Sequence, residues 1–131
     1  MPFPYILLAG LYCFLIFENS AVADPLPMDV ALPISDKVIH GIVFGGLCAI
    51  ISLGMRRSDR AVSWRTLIVL PVLFATAYGV SDEVHQSFVP GRSYEYGDML
   101  ADFLGACIAQ LVLIANWWLV QGKVPNFSSS E

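Results

Sequence analysis

The stretch Ser81–Asp102, SDEVHQSFVPGRSYEYGDMLAD, gathers Asp82, Glu83, His85, Gln86, Arg92, Glu95, Asp98 and Asp102 into one polar window between long apolar runs. A smaller knot, Asp36-Lys37-Val38-Ile39-His40, lies upstream. Three chemistries suit these residue types. Arg92 and Lys37 can take an anionic or zwitterionic group, because an arginine fork bonds phosphate or carboxylate bidentately, with carboxylates orienting the cations. His40 or His85 beside Asp82 or Glu83 can do acid–base work, because imidazole changes charge near neutral pH. His40, His85, Asp82 and Asp102 together have the donor types for zinc or a related ion. No local motif fixes a metal, and no cofactor is expected. The chain has no G-x-S-x-G, no H-E-x-x-H and no phosphate loop.

Spacing groups these residues further. Asp36 and His40, Asp82 and Gln86, and Asp98 and Asp102 each stand at i, i+4, and His85 is at i+3 from Asp82. Residues so spaced share a helix face. Three helix ends can therefore present polar pairs to one centre. Plainer roles compete. Asp36 and Asp98 suit helix caps that complement the dipole. Asp82, Glu83 and Arg92 suit an ion-pair network closing the bundle. His40 suits a hydrogen-bonded interior position, and Phe88, Tyr94 and Tyr96 suit interfacial anchors. The catalytic candidates are His40, Asp82, Glu83 and His85. The ligand-binding candidates are Asp36, Lys37, Gln86, Arg92 and Asp98.

The elements that must position them are membrane helices. Of 131 residues, 56% are hydrophobic and only 14% charged, against about 25% charged in a soluble domain. The expected class is an all-α integral membrane bundle, one domain of four transmembrane helices, with spans at about 3–20, 36–55, 64–86 and 98–120. The first apolar core, Phe3 to Phe17, has two readings. Ala21-Val22-Ala23 resembles a signal-peptidase site, but no Lys or Arg precedes the run and Glu18 interrupts the approach. The linker Glu18–Ser35 carries Pro25, Pro27 and Pro33 and reads as an extended loop, with Ser35 or Asp36 capping the next helix. Gly41 and Gly45 form a small-residue pair suited to close helix approach, as do Ala75 and Gly79. Pro71 falls inside the third span, Pro90-Gly91 marks a turn, and the tail Gly122–Glu131 reads as frayed. Cys13, Cys48 and Cys107 lie in apolar runs and read as packing residues.

Four of the seven basic residues, Arg56, Arg57, Arg60 and Arg65, fall between the second and third spans. The positive-inside rule puts that loop, and both termini, in the cytoplasm. Both polar knots then lie at the extracytoplasmic face. No basic stripe suggests nucleic acid, and neither an internal repeat nor a mid-membrane charge suggests a transporter.

Asp36-Lys37-x-x-His40 opening one span, then D-E-x-H-Q-x-F-x-P-G-R over Asp82–Arg92, then Asp98 and Gly105 in the next, resemble the VanZ-like family. The resemblance covers about Asp36 to Gln110. It implies a small bacterial membrane protein with four retained spans and an envelope role, and the name-giving member is associated with teicoplanin resistance. It brings no settled mechanism. One position departs: the family usually carries Asn inside A-N-x-x-G where this chain has Asp102. The acid keeps an acceptor there and loses the amide donor. The expected function is binding or remodelling of an envelope component, with membrane lipids, an envelope precursor or a glycopeptide-related ligand as partners. The alternatives are a hydrolase or transferase acting on a lipid head group, and a structural module that assembles through its small-residue faces.

Overall fold

A computed structural model describes residues 1–22 and 36–121. The linker expected over Glu18–Ser35 begins later, because Glu18, Asn19 and Ser20 are helical; its stretch 23–35, Ser35 as a cap and the tail from residue 122 lie outside the described residues. The described chain is all α-helical: α1 (Phe3–Ser20), α2 (Asp36–Arg56), α3 (Trp64–Gln86) and α4 (Tyr96–Gln121). Each helix is long and apolar enough to cross a membrane. α4 begins at Tyr96 rather than at residue 98, because a carboxylate from α3 receives the backbone N–H just before it, as described below.

Local chemistry sets the other ends. Ser63 caps α3, its Oγ accepting the N–H of Thr66 at 3.1 Å. Asp36 opens α2 and Arg56 closes it, each complementing the helix dipole. The turn after α3 closes with the Arg92 N–H donating to the Val89 oxygen at 3.1 Å. Gly91 there has φ 85°, the left-handed conformation that a Pro-Gly type II turn needs at its third residue.

α2 and α4 form the most intimate pair. Their backbones meet where Gly41 and Gly45 face Ala101 and Gly105, and a Cβ on Gly105 would collide with the Gly41 carbonyl oxygen. α3 packs on both, and α1 docks on α2 and α3 without reaching α4. The core is built from Phe44, Leu47, Cys48, Ile51, Ala75 and Ala106. The outer face of α4 exposes Leu100, Phe103, Leu104, Ile108 and Leu111, the surface that hydrocarbon would cover.

One buried polar contact follows from the proline. Pro71 has no N–H, so the Leu67 carbonyl loses its intrahelical donor. Gln110 of α4 supplies one, its Nε2 donating to Leu67 O at 2.9 Å, while Oε1 lies 3.9 Å from Cys48 Sγ. At the α2 end that follows the glycine contacts, Arg56 sits over the Trp117 ring at 4.7 Å and Arg57 over Tyr5 at 5.3 Å. The cysteines are all unpaired.

Candidate functional site

At the opposite end of the bundle the start of α2, the end of α3 and the start of α4 come together. Lys37 Nζ donates to Asp98 Oδ1 at 2.8 Å and to Glu95 Oε2 at 3.0 Å. His40 Nδ1 lies 3.0 Å from Asp102 Oδ1, and His40 Nε2 lies 4.0 Å from Asp98 Oδ2. When Asp102 is ionised it only accepts, so Nδ1 then donates in the His40–Asp102 bond, and a neutral His40 in that tautomer keeps its lone pair at Nε2. Asp102 is buried, and its Oδ2 presses on Gly79, where a Cβ would come within 2.5 Å. Glu83 is fully buried, and its Oε2 accepts the N–H of Glu95 at 3.1 Å. Glu83 thus serves an orphan donor at the entrance of α4. Asp82 is buried beside it, its Oδ2 accepting from Gln86 Nε2 at 2.9 Å.

A cavity of about 480 Å³ adjoins this network between α1, α2 and α3. Asn19, Ser20, Asp36, His40, Asp82, Gln86 and Arg92 line its polar end. Tyr12, Leu15, Ile16, Ile39, Val43 and Phe44 line the rest. From Asp36 to Phe44 the wall descends about 12 Å along α2, at 1.5 Å per residue. The cavity therefore grades from charged to apolar along the bundle axis. α1 closes one side through two phenolic bonds: Tyr12 Oη donates to Val43 O at 3.1 Å, and Tyr78 Oη donates to Cys13 O at 2.7 Å.

Several sequence expectations are redrawn by this geometry. Lys37 does not line the cavity, because Asp98 and Glu95 hold its ammonium. Arg92 makes no ion pair among the described residues. Its Nε donates to Val22 O at 3.2 Å, and its buried Nη2 has no partner among the described residues. The expected Asp82–Glu83–Arg92 ion-pair network is therefore absent from these residues. His40 takes Asp102 as its carboxylate, not Asp82 or Glu83. His85 has no carboxylate partner among the described residues; its ring stacks on Phe17 of α1 at 4.3 Å. The metal set of His40, His85, Asp82 and Asp102 is not gathered. The trio that can each turn a donor atom to one cation is Asp36, His40 and Asp98, with those atoms within 4.8 Å of one another.

Phe88 and Tyr96 are largely exposed, and Tyr94 meets Tyr96 edge-on, as interfacial residues would. Sequence reasoning missed the α1 wall. Its signal was present in Tyr12, Ile16 and Ser20, spaced by four, and Ile16 and Ser20 are the buried residues of α1. It also left Glu95 out of the candidates, although Glu95 holds Lys37.

The model of the VanZ/LLP1 family matches residues 5–119, across all four helices. The chain belongs to the VanZ/LLP1 family. Comparison with curated proteins gives no match, and neither does comparison with solved structures. Family membership and the four apolar helices make this a multi-pass membrane protein. Lys37, His40, Glu83 and Asp98, together with Glu95 and Asp102, form the network that links α2, α3 and α4. Asp82, Gln86 and Arg92 face the cavity.

Proposed function

We propose that this VanZ/LLP1 protein binds an amphiphilic component of the cell envelope, head group at the Asp82–Arg92 end and chain alongside Ile16 and Phe44. The grading of the cavity from charged to apolar is the observation that carries this reading. An amphiphile uses both halves, its head group the polar end and its chain the apolar wall, whereas a bare hydrocarbon leaves the buried polar groups unmet. Native mass spectrometry of the purified chain released from detergent tests it. The wild type should retain a lipid-mass adduct. Ile16→Trp, which sets a bulky ring into the apolar wall, should weaken or lose that adduct while keeping its helical circular dichroism. No adduct on the wild type, or one untouched by Ile16→Trp, contradicts the reading.

The finer setting follows from the Arg56–Arg65 loop. We place that loop in the cytoplasm of a bacterial cell, with the cavity opening at the outer face of the cytoplasmic membrane. The resistance role associated with the family's name-giving member is tested at that face. Expression in a sensitive host should lower teicoplanin susceptibility, and Asp82→Ala or Arg92→Ala should abolish that effect at equal membrane levels. A second reading, a hydrolase or transferase for lipid head groups, is favoured by one observation. His40, oriented by Asp102, stands in the cavity wall, as a general base must. Turnover of a lipid phosphate ester, lost in His40→Gln, separates catalysis from binding.

A further inference from the structure

The charges in the cavity narrow the class of amphiphile, on the reading that the cavity takes an amphiphile at all. Asp82 is 5% exposed, and no cation lies within ion-pair distance of it among the described residues. Among the described residues its one side-chain partner is the neutral amide of Gln86. A buried carboxylate left this way carries an uncompensated charge. Among the described residues Arg92 has the mirror-image condition: it lines the same cavity, bonds only a neutral carbonyl, and leaves Nη2 without an acceptor. The two opposite charges share a cavity and do not pair with each other. Lys37, the other cation at this end, is held by Asp98 and Glu95 outside the cavity.

We infer that the occupant is a zwitterionic phospholipid with a primary ammonium, its ammonium at Asp82 and Asp36 and its phosphate at Arg92. An ammonium offers three donors, and the carboxylates of Asp82 and Asp36 with the amide oxygens of Asn19 and Gln86 are acceptors for it. The Arg92 fork takes the phosphate. Leu15, Ile16, Val43 and Phe44 cover the start of an acyl chain. A purely anionic head group would satisfy Arg92 but set further negative charge against Asp82 and Asp36. A quaternary ammonium has no N–H to give these acceptors, and the described residues at the polar end of the cavity form no aromatic cage for it.

The test uses the full chain, delipidated in a non-ionic detergent. Phosphatidylethanolamine, phosphatidylglycerol and phosphatidylcholine are titrated separately, and bound lipid is counted by native mass spectrometry. Phosphatidylethanolamine should bind at least about tenfold more tightly than the other two, the scale on which a buried charge pair discriminates. Asp82→Asn keeps the Gln86 contact and should bring phosphatidylethanolamine down to the phosphatidylglycerol level. Arg92→Gln should weaken both. Glycerophosphoethanolamine, a head group without chains, should not compete. Equal or better binding of phosphatidylglycerol by the wild type overturns the inference and leaves amphiphile binding standing. So does an unchanged preference in Asp82→Asn. Competition by glycerophosphoethanolamine as strong as by the lipid overturns the membrane source. Binding of no lipid overturns both this inference and the function it rests on. Wild-type selectivity is read without any variant, so a variant that fails to fold does not shield the claim.

Discussion

Asp102 illustrates how one side chain ties the site to the fold. Its Oδ1 meets His40 Nδ1 at 3.0 Å, and its Oδ2 is buried against α3 with no polar partner. Asn at this position keeps an acceptor for His40 and removes a buried charge, so Asp102→Asn should melt in detergent at or above the wild-type temperature. Asp102→Leu leaves the His40 donor unmade and should cost about 1–3 kcal/mol. A clear drop in melting temperature for Asp102→Asn would show that the charge itself is needed. Arg92 depends on its turn. Gly91→Ala places a Cβ in a left-handed backbone, at about 1–2 kcal/mol, and should weaken lipid binding through displacement of Arg92. Melting and binding measured on the same sample separate the two effects. The convergence of Asp36, His40, Asp82, Asp98 and Asp102 was legible because i, i+4 spacing puts such residues on one face at a helix end. The diversion of Lys37 was not. It depends on how far α2 stands from the loop before α4, which no pattern within one helix encodes.

Helix identity was legible almost to the residue, because twenty-residue apolar runs bounded by polar ends leave few alternatives. Helix partners were only partly so. Gly41 and Gly45 announced a close neighbour without naming α4 or Gly105. Gly105→Leu should prevent α2 and α4 from meeting and abolish accumulation of folded protein, read by size-exclusion chromatography in detergent. Gln110 was invisible as a partner of Pro71, since the orphaned Leu67 carbonyl lies one helix away. Gln110→Leu should cost about 1–3 kcal/mol, the desolvation penalty of an unmade buried hydrogen bond. In a Pro71→Ala background residue 71 regains its N–H, and the same change should cost markedly less. A double-mutant cycle of unfolding free energies reads that coupling. Additivity would show that Gln110 does not serve the proline gap.

The whole molecule is polarised, with carboxylates, Lys37 and Arg92 at one end and the Arg56–Arg65 cluster at the other. The proposed topology rests on that asymmetry. A membrane-impermeant maleimide should label Ser93→Cys in intact cells and Asp59→Cys only after permeabilisation, each compared with the unsubstituted chain. The reverse pattern would invert the orientation. Between the two ends α1 stands as a wall of the cavity rather than part of the tight α2–α4 core. Its exposed apolar face was easy to see in the sequence. Its inner face was marked only by the spacing of Tyr12, Ile16 and Ser20, which does not say which helix they meet. The claim that joins residue, element and molecule is that this wall encloses an envelope amphiphile. The most direct measurement is photolabelling in proteoliposomes, using a phospholipid with a diazirine near the start of its acyl chain, followed by peptide mapping. The expected result is label concentrated on Leu15, Ile16, Val43 and Phe44, and lost in Ile16→Trp. Label spread over the outer face of α4, at Leu100, Phe103, Leu104 and Ile108, with none in the cavity, would contradict it.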